Sequence, residues 1–238
     1  KGIVGEPVKP EKLPIVRTPV RGGIVEITRG CGRGCKFCTP TLLKFRSIPK
    51  DIILKEVMVN VRGGLTHIGL HSDDFPRYGS DSLYPKPEKI IGLLDEVKAI
   101  EGVKEVSIDF VSIASTLLMG EKWMREVSEK LGLVGNKYST IETGIETASP
   151  KILVKYMPGK LRPCLKPEDW VEAVIEAMGI LNDNNWLVCS TLITGFPEET
   201  EEDVNKNLEL MDELEKFDCF PIVLPLMPAG GFKGERVR

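Results

Sequence analysis

The chain has 238 residues, 42% of them hydrophobic and 28% charged, with a formal net charge of −3. That is the balance of an ordinary globular protein, long enough for one large α/β domain or two small ones. There is no basic excess to mark bulk nucleic-acid binding, no apolar run near the roughly 18 residues of a membrane span, and no signal peptide, so neither nucleic acid nor membrane is an expected partner.

Residues 1–21 carry Pro7, Pro10, Pro14 and Pro19 and read as a linker or lead-in from a preceding domain. The chain opens on Lys1 rather than Met, as a fragment of a longer polypeptide would. Over residues 22–238 strands and helices alternate. Residues 23–28 read as a strand, and a cysteine-rich loop follows it. A helix is predicted over 49–62, with Pro49 in its first turn and Gly63-Gly64 stopping it. Next come a strand over 66–71, a helix over 87–100, a strand over 104–111 and a helix over 121–131. A strand over 138–145, a short helix near 149–157 and a longer helix over 167–181 follow. In the longer one Val171, Val174, Ile175 and Met178 keep helical spacing. The last units are a strand over 186–194, a helix capped by Thr200 with Asp203 as its capping-box partner, and a strand over 220–226. Strand–helix repeats imply a parallel sheet. The expected fold is α/β, a partial (β/α)6 TIM-like barrel, with a flat doubly wound sheet as the alternative. In both, ligands gather at the C-terminal ends of the strands.

Three of the six cysteines, Cys31, Cys35 and Cys38, lie on the loop after the first strand. Three thiolates on one short loop can converge on a soft metal centre, and on a four-iron cluster they leave one iron open. Gly30, Gly32 and Gly34 let the backbone bend around it. A structural zinc site would need a second ligand pair, which Cys164, Cys189 and Cys219 do not form by spacing. The scatter of these last three reads as a reducing, cytoplasmic setting rather than a disulfide framework.

The spacing C-x-x-x-C-x-x-C resembles the signature of the radical S-adenosylmethionine (SAM) superfamily. That resemblance implies a [4Fe–4S] cluster on Cys31, Cys35 and Cys38. Its open iron takes SAM, and a donor such as ferredoxin or flavodoxin supplies the electron that releases a 5′-deoxyadenosyl radical. Phe37 matches the aromatic residue beside the adenine. Gly195-Phe-Pro-Glu-Glu-Thr200 is similar to a G-F-P-x-E-T stretch in which an apolar strand residue and a glycine admit SAM; Ile193 and Gly195 match them, while Thr191 departs from the wider family's first glycine. Gly144-Ile-Glu146-Thr is similar to a stretch whose acidic residue binds the SAM ribose, a role that falls on Glu146. The helix-end charge is the other reading of that residue.

The second strand ends His71-Ser72-Asp73-Asp74-Phe75. It lacks the G-G-E stretch of many members and looks like the cobalamin-binding group, with Asp73 as a cofactor contact and His71 as a barrel histidine. Ser112 and Ser115 are placed near the SAM carboxylate, with Arg29 or Arg46 as further carboxylate holders. Cys164 reads as a loop thiol. Taken together, the motifs look most like the cobalamin-binding radical SAM group. This implies hydrogen abstraction from an unidentified substrate and cobalamin-dependent methyl transfer, with cobalamin held by a further domain. The alternatives are a methylthiotransferase and a non-catalytic iron–sulfur scaffold subunit. No side chain is singled out as catalytic.

Overall fold

A computed structural model describes residues 8–233. The expected lead-in over 1–21 is therefore seen from residue 8 onward, and residues 1–7 lie outside the described part. From Leu13 to Val20 this segment lies along the first helix, where Glu56 Oε1 accepts from the Val16 N–H (3.3 Å) and Asn60 Oδ1 from the Val20 N–H (2.7 Å). The elements in chain order are β1 (Ile24–Glu26), β2 (Thr28–Arg29), β3 (Arg46–Ser47), α1 (Lys50–Arg62), β4 (His67–His71), α2 (Pro87–Lys98), β5 (Glu105–Ile108), α3 (Ile113–Leu131), β6 (Ser139–Glu146), α4 (Pro150–Tyr156), α5 (Trp170–Asn182), β7 (Trp186–Thr194), α6 (Glu201–Leu214) and β8 (Cys219–Pro225).

β1, β4 and β5 form one parallel run, and β6, β7 and β8 form another. A parallel bridge between Phe110 and Glu142 joins the two. The six strands thus follow one another in chain order, and among the described residues β1 and β8 do not pair with each other. The result is a parallel, unclosed barrel, as the strand–helix rhythm predicts.

Alternation along the strands decides where the core lies. Ile68, Leu70, Val106, Ile108, Val188 and Leu192 are buried under the helical stripes of Ile53 and Val57, Ile90 and Leu94, and Val174 and Met178. Each such side chain contributes about 1.5–3 kcal/mol by leaving water. Positions of the opposite parity, His67, Glu105, Thr140 and Glu142, are exposed, so the concave face stays open to solvent. The two fully buried indoles are satisfied: Trp170 Nε1 donates to the Thr147 carbonyl (2.9 Å) and Trp186 Nε1 to Ser128 Oγ (2.8 Å).

Several boundaries differ from the sequence reading. The first strand divides after Glu26, and Thr28–Arg29 turns away to pair antiparallel with Arg46–Ser47, closing the cysteine loop as a hairpin. The third helix starts at Ile113, capped by Ser112, eight residues earlier than expected. Gly120 breaks its helical dihedrals (φ 69°, ψ 170°), so the apolar period reads as starting afresh after that glycine. The fifth helix starts at Trp170, after a 3-10 turn over Pro167–Asp169. The capping box of α6 is present, with Thr200 and Asp203 bonding each other's backbone.

Candidate functional site

The loop between β2 and β3 brings Cys31, Cys35 and Cys38 to one cavity of about 320 Å³. Its other walls come from the C-terminal ends of β4, β5 and β6: His71 to Asp73, Asp109, Ser112, Glu142 and Glu146, with Lys160 from beyond α4. Local chain geometry makes this possible. Gly30, Gly32 and Gly34 have φ of 79°, 70° and 82°, and a Cβ on Gly30 would lie 2.6 Å from the Leu43 carbonyl oxygen. Only glycine adopts that conformation at so close an approach without strain.

Burial pushes all three thiols up, that of Cys35 to about 11. Uncoordinated, they stay neutral at physiological pH, and thiolate character has to come from a bound metal. Among the described residues no three His, Cys, Asp or Glu side chains converge as ligands of a single ion. A four-iron cluster does not ask for that, since each thiolate ligates a different iron. Three cysteines on one cavity wall, with no fourth beside them, fit such a cluster with one open position.

Glu146 ends β6 at a register shift and takes a left-handed backbone conformation (φ 68°). Its carboxylate is buried between Lys160 Nζ (3.0 Å) and Thr191 Oγ1, which donates to it at 3.1 Å. Lys160 also donates to the Gly144 carbonyl (2.7 Å). A Cβ on Gly144 would sit 2.2 Å from Glu146 Oε1 and 2.8 Å from Lys160 Nζ, so only glycine leaves this pair undisturbed. Burial lowers the Lys160 ammonium's pKa, but Glu146 and Cys35 outweigh it and the net shift is upward.

Phe37 lies between the cysteine cavity and an apolar recess of about 380 Å³ lined by Ile193, Leu224, Pro225, Leu226 and Met227. Its ring meets Phe196 edge-on at 5.9 Å, and Phe196 stacks on Tyr156 at 5.3 Å. The cysteine loop and the Gly195 turn therefore share one rim. Gly195 itself (φ 91°) has its N–H taken by Glu199 Oε2 at 2.6 Å and lies outside the linings of both spaces.

Asp73 lines the cavity, its carboxyl pushed up by burial. The Ser112 hydroxyl lines it too, but it is engaged: it caps α3 and bonds Asp74 and Arg33. His71 is satisfied within the barrel: its Nδ1 bonds Asp109, whose other oxygen accepts from the Ser72 N–H (3.1 Å). Arg29 and Arg46 do not enter the cavity; Arg29 ion-pairs with Glu26, and Arg46 lines a separate cleft with Glu11 and Asp81. Cys164, Cys189 and Cys219 also lie apart from the three loop cysteines.

The sequence reading missed Arg33 and Lys160, and took Asp74 only as the acid beside Asp73, the pair binding a cation or capping the loop that follows. Arg33 lies inside the cysteine motif, where its neighbours drew all the weight. Lys160 and Asp74 reach the site through tertiary contacts that no local pattern announces. Asp74 is fully buried and accepts from Arg33 Nη2 (2.9 Å), Ser115 Oγ (2.8 Å) and the Ser112 backbone N–H (3.2 Å).

Among the described residues no helix is long and apolar enough to cross a membrane. The chain is 28% identical over 217 residues to the ribosomal protein uS12 methylthiotransferase RimO of Clostridioides difficile, covering 87% of this chain and 44% of the relative. It is 28% identical to a tRNA-2-methylthio-N(6)-dimethylallyladenosine synthase of Malacoplasma penetrans (90% and 41% covered), and 30% identical to a probable threonylcarbamoyladenosine tRNA methylthiotransferase of Archaeoglobus fulgidus (80% and 42%). The chain thus spans less than half the length of these relatives. Among solved structures it is similar to the radical SAM methyltransferase TsrM from Kitasatospora setae with cobalamin and a [4Fe–4S] cluster bound. The TM-score is 0.61 at 14% identity, covering 88% of this chain and 38% of that one, a likeness of fold alone. The model of the radical SAM superfamily matches residues 25–211, strand β1 through most of α6, and the chain belongs to that superfamily of enzymes.

Proposed function

We propose that residues 22–238 form the catalytic barrel of a radical SAM enzyme that cleaves SAM reductively and abstracts hydrogen from a substrate held over the open concave face. The observation that carries this reading is the convergence of Cys31, Cys35 and Cys38 on one cavity with Glu146, beside the apolar recess behind Phe37. Cys31, Cys35 and Cys38 would hold a [4Fe–4S] cluster, which would supply the electron for reductive cleavage of the SAM sulfonium. The protein's own groups bind and orient. The Glu146 carboxylate accepts from the vicinal ribose hydroxyls, with Lys160 and Thr191 holding it in place. Phe37 and Ile193 offer apolar surface to the adenine, and Asp73 and Ser112, on the cavity wall, are the candidates for the methionyl end. Phe37 and the recess behind it keep water from the reacting end of the cavity.

The group transferred to the substrate has two readings. The motif likeness to cobalamin-binding members supports methyl transfer through a cobalamin domain outside this chain. The identity to methylthiotransferases, 27–30% over most of the chain, supports methylthio transfer instead. The barrel reading is tested by anaerobic reconstitution and reduction: the chain is expected to bind about four irons and release 5′-deoxyadenosine and methionine from SAM. A fully metallated chain that binds no SAM would leave the scaffold reading standing. Cobalamin absorbance or a second cluster in the longer polypeptide then separates the two transfers.

A further inference from the structure

Arg33 stands in the middle of the first gap of the cysteine motif, with a side chain only 3% exposed. Its two terminal nitrogens are fully engaged. Nη2 donates to Asp74, Ser112 and Ser115, all at 2.9 Å, and Nη1 donates to the carbonyls of Gly159 (3.1 Å) and Arg162 (3.0 Å). Gly159 is required for this arrangement, because a Cβ there would lie 1.5 Å from the Arg33 carbonyl oxygen. The guanidinium is thus locked to the end of β4, the start of α3 and the loop after α4. Its remaining donor, Nε–H, is buried and meets no acceptor. A buried donor left without a partner is costly, and such an orphan in a native fold calls for an explanation. Arg33 lines the cysteine cavity.

We infer that Arg33 is a positioning residue for the iron–sulfur centre, its Nε–H donating a hydrogen bond to a sulfur of the cluster or of the Cys31 or Cys35 thiolate. This rests on the cluster reading above. The five bonds at the other end of the guanidinium fix the donor's direction before any metal arrives, so no ordering of a long side chain is left for assembly. Hydrogen bonds to cluster sulfurs and nearby positive charge stabilise the reduced state and raise its potential. The bond therefore favours the electron uptake that SAM cleavage requires.

The test is pulsed EPR on the reduced, reconstituted chain grown with arginine carrying heavy nitrogen in its guanidinium group alone, because the Arg33 backbone N–H also bonds Cys31. A weak coupling from the labelled nitrogen to the cluster spin is expected in the wild type. It should persist in Arg77→Lys, which removes the other nearby guanidinium (Arg77 Nη1 to the Cys31 carbonyl, 2.7 Å). It should also persist in Ser115→Ala, which trims the network but leaves Nε–H. It should vanish in Arg33→Lys, which keeps the charge. The Arg33→Lys cluster should also titrate at a lower midpoint potential. A loss of roughly tenfold in the stability of the reduced state corresponds to about 59 mV for a one-electron couple. A reduced cluster with no arginine coupling, or one whose coupling survives Arg33→Lys, overturns the assignment even if Arg33→Lys proves too unstable to titrate. A chain that takes up no iron overturns the cluster reading itself.

Discussion

Replacing Glu146 by Ala distinguishes a ligand-binding carboxylate from a structural counterion. The carboxylate and Lys160 form an almost buried pair, 9% and 11% exposed, at 3.0 Å. Deleting one member of such a pair typically costs about 3–5 kcal/mol, because the other charge is left uncompensated. Here Lys160 retains the Gly144 carbonyl at 2.7 Å, which places the expected loss at the lower end of that range. The backbone adds a second quantity. At φ 68° an L residue carries a strain of about 1–2 kcal/mol, which Ala retains and Gly relieves. Glu146→Gly should therefore be more stable than Glu146→Ala by up to about 1 kcal/mol, although it too lacks the carboxylate. If the carboxylate also receives the ribose hydroxyls, both variants lose a charge-assisted acceptor worth about 1.5–3 kcal/mol, or roughly one to two decades in SAM affinity. Isothermal titration with SAM, iron analysis and urea unfolding separate the effects. The expected outcome is full iron content, weakened SAM binding in both variants, and Gly above Ala in stability. Unchanged SAM affinity alongside lost stability would refute the ribose role and leave Glu146 as the counterion of Lys160.

Cys31→Ala, Cys35→Ala or Cys38→Ala should abolish iron uptake on reconstitution, whereas Cys164→Ala, Cys189→Ala and Cys219→Ala should retain about four irons per chain. Gly195→Val should reduce SAM cleavage sharply, read as 5′-deoxyadenosine released by the reduced chain, because φ 91° is strained for a β-branched residue at the turn that follows β7. Asp203→Ala should destabilise the fold by about 1–3 kcal/mol at pH 7, measured by urea unfolding. Burial pushes the Asp203 carboxyl up, but hydrogen bonds from Ser149, Thr200 and Lys151 outweigh it and hold it well below the usual carboxylate range. Its stabilisation is therefore complete above the unfolded value of about 3.9 and declines as the pH falls below that, so the gap between wild type and variant should narrow in acid.

The strand–helix rhythm, the order of the sheet and the caps of α6 were readable because each is a local signal repeated along the chain. Period-two burial marks the strands, and period-3.6 stripes mark the helices. Where the reading slipped, a local signal was present but belonged to another structure. Gly120 looks like a helix boundary and is a break inside α3, since Ser112 already supplies the N-cap eight residues earlier: its hydroxyl accepts from the Ser115 N–H at 3.3 Å. Thr28–Arg29 looks like the continuation of β1, yet it serves the hairpin that shapes the cysteine loop.

The site divides in a similar way. The cysteine loop announces itself by spacing, Phe37 and Glu146 by the resemblance of their stretches to the superfamily's, and all of them line one cavity. Arg33, Asp74 and Lys160 do not, because a buried charge is explained only by the partner that neutralises it, and their partners lie 41 residues away for Arg33 with Asp74 and 14 for Lys160 with Glu146. Both pairs contribute to the wall of the cysteine cavity, one bracing the loop from β4 and α3 and the other bracing the end of β6. Each brings a cation into a space that three thiolates would make negative. A buried pair contributes little net stability compared with apolar packing. Keeping two of them at one cavity is therefore better accounted for by the charge that the cavity has to hold than by the stability of the barrel.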